Sequence, residues 1–340
     1  MDFFGRELYN EDENRYFGIK KQGDRPMRYG FGVDIGGTTV KIAWFEESGT
    51  MLHSWEIPTD KRNNGEKILP DVAAALDGFL KEKGVDREKV IGIGVGVPGP
   101  VSSKGIVNCC VNLGWGVKDI ASELSALTGL PVKAGNDANV AAMGEYWQGS
   151  GREYESMVMA TLGTGVGGGI VIDGHLLHGA HGCGGEVGHM VLNRHETEVC
   201  GCGNRGCTEQ YCSATGLVRL AKRRLAADTA DSKLRQLEKL EARDVFDAGK
   251  QGDAVANEIL EEYYDYLGEF LADVCVIVDP EVIVLGGGVC KAGQVLLDGV
   301  RRGFERFCFH GTAGVKFTVA QLGNDAGSYG AFKLALDAFG

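Results

Sequence analysis

Proline is scarce in this chain, 7 of 340 residues, which leaves no stretch that could serve as a polyproline spacer or stalk. No apolar run reaches the roughly 20 residues a helix needs to cross a bilayer, so a membrane partner is not expected. Basic charge is also in short supply. Lys and Arg number 35 against 47 Asp and Glu, a formal charge of −12, and that balance argues against a nucleic-acid surface, which needs clustered cations. The densest basic run, Lys222-Arg223-Arg224, falls on a helical stretch and reads as a solvated helix face. The N-terminus lacks a basic stub followed by an apolar stretch, so no secretory leader is expected. The ten cysteines therefore belong to a reducing compartment and not to a disulfide framework, and a cytoplasmic protein is expected.

Glycine, by contrast, is abundant, at 53 residues, and its placement organises the chain. Residues 1–28 are polar and without periodicity, and read as an N-terminal extension. Gly30 to Asp34 has strand character, is broken by Ile35-Gly36-Gly37-Thr38-Thr39 and resumes from Val40 to Phe45, which is a hairpin with a glycine turn. The same grammar returns at Met157 to Thr161, Leu162 to Gly169 and Ile170 to Ile172, an internal duplication that predicts two similar halves facing each other across a cleft. Between the hairpins, Ile68, Leu69, Val72, Leu76, Phe79 and Leu80 share a helical face, and Val90 to Val97 reads as a buried strand closed by Pro98-Gly99-Pro100. A strand at Val282 to Leu285 leads into Gly286-Gly287-Gly288 and then a helix. A helix from Asp253 to about Cys275 turns Ile259, Leu260, Tyr263, Leu267, Phe270 and Leu271 inward. The chain thus divides into two α/β domains, a smaller one over 29–135 and a larger one over 136–325, with a helix over 326–340 crossing back to the first.

Three groups of residues carry chemistry. His189, Cys200, Cys202 and Cys207 have the spacing of a closed tetrahedral Zn2+ site, set among Gly201, Gly203, Asn204 and Gly206, a knuckle composition without apolar periodicity. Free cysteine is otherwise a small buried hydrophobe, which is how the remaining seven are read. In Asp34-Ile35-Gly36-Gly37-Thr38-Thr39, bare backbone N–H groups and hydroxyls suit phosphate oxygens, and the carboxylate suits a hydrated Mg2+. The alternative is a tight turn that simply needs glycine. Gly163-Thr164-Gly165 repeats the pattern, so two turns from two halves would clamp the β and γ phosphates, while Gly286-Gly287-Gly288 would admit a nucleobase and ribose or merely pack against the sheet. Finally, Asn136-Asp137 opens a helical pattern through Met143 and Trp147, where an acid is either an N-cap or a general base poised for an attacking hydroxyl.

These motifs together resemble one family. The hairpin Asp34-x-Gly-Gly-Thr, Gly99, Asn112-Leu113-Gly114-Trp115, Asn136-Asp137, the run from Gly163 to His189, and Cys-Gly-Cys-Gly-x-x-Gly-Cys-x-Glu from Cys200 to Glu209 are similar to the ROK sugar kinases and sugar-responsive repressors, most of all the bacterial ROK glucokinases. The resemblance covers 29–335 and implies a two-domain, actin-like (ribonuclease-H-like) ATPase fold with an interdomain cleft. It implies Asp137 as the base, with Gly99, Asn112, Asn136, Glu186, His189 and Glu209 on the sugar. Mg-ATP falls to Asp34, Gly36, Gly37, Thr38, Thr39, Lys41, the 163–165 turn and Gly286 to Gly288. One ring nitrogen of His189 would bind zinc while the other reaches a sugar hydroxyl. The expected reaction is ATP-dependent phosphorylation of a hexose at its 6-hydroxyl, glucose first, with N-acetylmannosamine, N-acetylglucosamine, mannose, allose or fructose as alternatives and polyphosphate as an alternative donor. A homodimer or homotetramer is implied as well. Cys183 stands where a small residue is usual, and the extension at 1–28 falls outside the common pattern.

Two other classes compete. A sugar-sensing repressor needs a winged helix-turn-helix ahead of the hairpin, for which 28 residues without a basic excess are too few. An actin-like ATPase acting on a protein is disfavoured by the knuckle and the sugar-type amides.

Overall fold

The computed structural model describes residues 27–340; most of the extension read at 1–28 lies outside the described residues. Five strands form the first sheet: β1 (Tyr29–Ile35), β2 (Thr39–Glu46), β3 (Met51–Pro58), β4 (Val90–Val97) and β5 (Val132–Asn136). Their order is β3-β2-β1-β4-β5, antiparallel through the hairpins and parallel from β1 to β5. The second sheet contains β6 (Met157–Leu162), β7 (Val166–Ile172), β8 (His175–Leu176), β9 (Val282–Gly286) and β10 (Lys316–Val319). Its order is β8-β7-β6-β9-β10, with the same pattern of directions. The duplication read from the two glycine hairpins is therefore a repeat of a whole five-stranded sheet. Helices cover both sheets, and no helix among the described residues is long and apolar enough to cross a membrane.

The helices form where apolar periodicity and capping agree. In α1 (Ile68–Lys83) all six expected core positions are buried, and Gly84 closes the helix in the left-handed conformation. Asp119 caps α2 (Ile120–Thr128), accepting from the Ser122 N–H at 3.0 Å. Beneath the second sheet lie α4 (Ala214–Ala227), α5 (Ala242–Lys250) and α6 (Ala254–Val278), the last capped by Asp253 and burying all six residues of its expected stripe. The third glycine turn leads into a short 3-10 turn, Gly288–Ala292, before α7 (Gln294–Phe307), because Gly293 breaks the run with φ +76°.

Two helices make the seam between the sheets. These are α3 (Asp137–Gln148), which follows β5, and α8 (Ala326–Phe339), which follows β10. The C-terminal helix packs against the first sheet: a Cβ on Gly94 of β4 would lie 1.6 Å from the Ala331 carbonyl oxygen, so only glycine admits the helix backbone there. The two helices cross just as tightly, since a Cβ on Gly330 would lie 1.7 Å from the Val140 carbonyl oxygen. At the far end of α3, the fully buried Glu145 accepts from the N–H groups of Ser150 (3.0 Å), Gln321 (3.1 Å) and Leu322 (2.7 Å). That carboxylate ties α3 to the segment leading from β10 into α8, and it satisfies buried backbone donors that would otherwise be orphaned.

Candidate active site and metal centre

Asn136 ends β5 and caps α3: its Oδ1 accepts from the Asn139 N–H at 3.0 Å. Its Nδ2 donates to the Gly99 carbonyl (3.2 Å) and to Asp137 Oδ1 (3.0 Å). The side chain expected on the sugar thus also holds the Gly99 loop and orients Asp137. Asp137 itself is the first residue of the helix, half-buried, and its Oδ1 also accepts from the Ala138 N–H at 2.8 Å. Burial raises its carboxyl above the usual carboxylate range; the Ala138 N–H opposes this and the charge of Glu186 adds to it.

Asp34 sits near the end of β1, paired in register with Lys41 on β2 and with Gly96 on β4. Burial, and then the charge of Asp137, pushes it up to about 6 against the pull of Lys41. Asp34 and Glu186 both act electrostatically on Asp137 or are acted on by it, so acids from β1, α3 and the 177–189 loop converge on one region. The Lys41 ammonium is engaged by the Asn324 carbonyl (3.0 Å) and by Asp325 (2.9 Å), which clamps the hairpin to the start of α8. The Gly36-Gly37-Thr38-Thr39 turn is partly exposed and braced by Thr59, whose hydroxyl donates to the Gly36 carbonyl at 2.8 Å.

The second glycine turn, Gly163-Thr164-Gly165, abuts the first turn of α4: the Ala214 N–H donates to the Gly163 carbonyl at 2.8 Å, and the Thr215 hydroxyl to that of Thr164 at 2.5 Å. Glu209 faces the same turn, since a Cβ on Gly165 would lie 2.4 Å from its Oε2. Gly287 has φ +87° and packs on the end of β6, where a Cβ would meet the Leu162 carbonyl oxygen at 2.5 Å. Its packing role is therefore direct, whereas Gly288 is open to solvent. Asn112 is exposed on a short turn, Val111–Leu113. That turn rests on residues 63–65, all three left-handed, through the Trp115 indole N–H donating to the Gly65 carbonyl at 3.2 Å.

His189, Cys200, Cys202 and Cys207 converge, with one ligand atom from each lying within 4.8 Å of all the others. The Sγ atoms of Cys202 and Cys207 are 3.6 Å apart, and Cys200 Sγ is 3.9 Å from His189 Nδ1. A tetrahedron with metal–sulfur bonds of about 2.3 Å has edges of about 3.7 Å, close to these two separations, so the donor set suits a four-coordinate ion. The Nδ1 side of His189 faces the cluster, and Cys200 also reaches Glu209 Oε1 at 3.0 Å. The loop is anchored from the opposite side by Glu196. This buried carboxylate pairs with Arg223 (3.0 Å) and Arg219 and accepts from the Tyr211 hydroxyl, and those partners hold it far below the usual range despite burial.

Sequence reading missed two buried polar residues of α3, Asn139 and Glu145. Both occupy the helix face that also buries Ala142 and Met143. A polar residue recurring on an otherwise apolar helical face was the available signal.

A family model for the ROK family matches residues 30–338. A glucokinase of Halalkalibacterium halodurans is 41% identical over 308 residues, covering 89% of this chain and 93% of that protein. Among solved structures, a ROK family glucokinase from Streptomyces griseus in complex with glucose and AMPPNP is 34% identical with a TM-score of 0.72, covering 92% of this chain and all of that one. A ROK hexokinase from Thermus thermophilus is 31% identical with a TM-score of 0.75, covering 91% and 98%. The chain belongs to the ROK family, and its fold is that of the ROK sugar kinases.

Proposed function

We propose that this protein is a glucokinase that transfers the γ-phosphoryl group of ATP to the 6-hydroxyl of glucose, giving glucose 6-phosphate and ADP. The observation that carries the reading is the placement of Asp137: a raised carboxyl at the head of α3, with Asn136 and Ala138 holding Oδ1. In its deprotonated form it accepts the 6-hydroxyl proton as the oxygen attacks the γ phosphorus and ADP departs. Phosphoryl transfer asks little more than positioning and donors around the spreading charge. The two glycine turns supply backbone N–H groups, and Thr38, Thr39 and Thr164 supply hydroxyls, from opposite halves. Asp34 would hold Mg2+, which when bound neutralises charge on the phosphates.

Glu186, His189 and Glu209, with Asn112 from the first half and Asn136 behind Asp137, form the hexose-binding set. A neutral polyol is recognised by acids and amides, and this set provides both. We assign Zn2+ to His189, Cys200, Cys202 and Cys207 as a structural ion that fixes the Glu209 and His189 loop. The two halves, divided near residue 135 with α8 joined to the first, close on the substrates and keep water from the phosphate. A charge of −12 suits a cytoplasmic enzyme without a nucleic-acid partner.

The test is ATP consumption, with Mg2+, over a panel of glucose, mannose, fructose, allose, N-acetylglucosamine and N-acetylmannosamine. Glucose is expected to give the highest kcat/KM. Turnover independent of any sugar, or none with the whole panel, would contradict the reading.

A further inference from the structure

We infer that Asn139 is a positioning residue for hexose binding: its side chain sets the distance between the base Asp137 and the Glu186 to His189 turn. The inference rests on the kinase reading above and deepens it. Asn139 is only 3% exposed. Its Nδ2 donates across the seam to the Gly184 carbonyl at 3.0 Å, two residues before Glu186. Its own N–H is held by Asn136 Oδ1, and Asp137 lies between the two asparagines. One helical turn therefore ties both walls of the site. Asn136 reaches the Gly99 loop of the first half, and Asn139 reaches the 177–189 loop of the second.

The other close contacts around this turn are packing contacts, made in part by β7. A Cβ on Gly185 would lie 2.9 Å from Asn139 Oδ1, one on Gly168 would lie 2.4 Å from Val187 Cγ2, and one on Gly169 would lie 2.3 Å from the Ala142 Cβ. Helix, strand and loop are packed backbone to backbone, and the amide of Asn139 is the polar link between helix and loop. His189 follows on the same turn, its N–H donating to the Glu186 carbonyl at 3.2 Å, so a shift at Gly184 moves both sugar-facing residues together.

A purely structural asparagine would be an odd choice here. Its Oδ1 is buried without a partner among the described residues. An orphaned buried acceptor is a cost that an apolar side chain would not incur. What the asparagine supplies in return is the donor to Gly184, which aliphatic residues lack.

The test uses the full-length, metal-loaded protein with Asn139→Ala and the isosteric Asn139→Asp, whose carboxylate cannot donate to a carbonyl. Both variants are expected to raise the glucose KM tenfold or more and lower kcat, while the ATP KM stays within twofold. Glu186→Gln combined with Asn139→Ala should lose clearly less than the product of the two single losses, because part of what Asn139 does acts through Glu186. Glucose KM and kcat within twofold of the parent in both variants, whatever the melting temperature does, would overturn the inference, as would fully additive losses in the double variant. Should neither variant be recovered folded, Asn139→Ser, which keeps a donor of shorter reach, is held to the same criteria. A parent inactive on every hexose removes the kinase reading, whereas an active parent with unaffected variants removes this inference alone.

Discussion

The two halves of the molecule repeat their strands and differ in what they hang on them. Register makes the comparison residue by residue: Asp34 pairs with Gly96 on the parallel neighbour in the first sheet, and Thr161 pairs with Gly286 at the same place in the second. One half thus presents an acid beside its glycine turn and the other a neutral hydroxyl. A single carboxylate suits one hydrated cation among phosphates, and a second would only add repulsion. The helices after the fifth strands differ likewise. α3 begins with Asp137 behind the cap Asn136, while α8 begins with Ala326 behind Asp325. The duplicated scaffold supplies two glycine turns and a seam, and the halves differ in the groups set beside them.

The largest way to break the comparison is to remove what only the second half has. Stripping the metal with a chelator, or replacing Cys207 by Ser, should lower the melting temperature by about 10 °C or more and abolish sugar-dependent turnover, since the 190–208 loop has little core of its own. Zinc content measured with the melt checks this, and a fully active, metal-free protein would refute the assignment. Glu196→Ala comes next, leaving Arg219 and Arg223 without their buried partner; a loss of about 3 kcal/mol is expected in urea unfolding. Glu145→Ala acts on the seam itself by orphaning the Gln321 and Leu322 N–H groups, for about 2 kcal/mol.

The smallest and most diagnostic change is Asp34→Asn, which erases the asymmetry between the turns. The folded carboxyl is raised from 3.8 to about 6. Folding therefore favours the protonated form relative to the unfolded chain, and Asp34 contributes stability below pH 4 that is lost as pH rises through about 6. Without Mg2+ and ATP, Asn should then stabilise the protein at pH 7.5 by about 1 kcal/mol, show no gain near pH 4, and raise the Mg-ATP requirement for turnover. Equal melting shifts at both pH values would contradict the buried-acid account.

Legibility followed the same asymmetry. The hairpins, β4, α1 and α6 were readable because their apolar periods are strong and their ends are marked by glycine or a cap. β3 escaped notice because an edge strand exposing Leu52, His53, Ser54 and Glu56 has no apolar stripe. The convergence of His189, Cys200, Cys202 and Cys207 was readable from spacing, since cysteines so close in sequence have few other arrangements. Residue type alone does not reveal that the Asn136 side chain also serves Gly99, Asp137 and the helix cap. Asn139 and Glu145 went unnoticed because their partners, Gly184 and the 321–322 segment, come from the far half of the chain.

The most direct test of the central claim is Asp137→Asn, a change that keeps the shape of the side chain and the acceptor for Ala138 while removing the base. Glucose binding by calorimetry should stay within a few-fold of the parent while turnover falls by about a thousandfold or more. Turnover within tenfold of the parent would contradict the account.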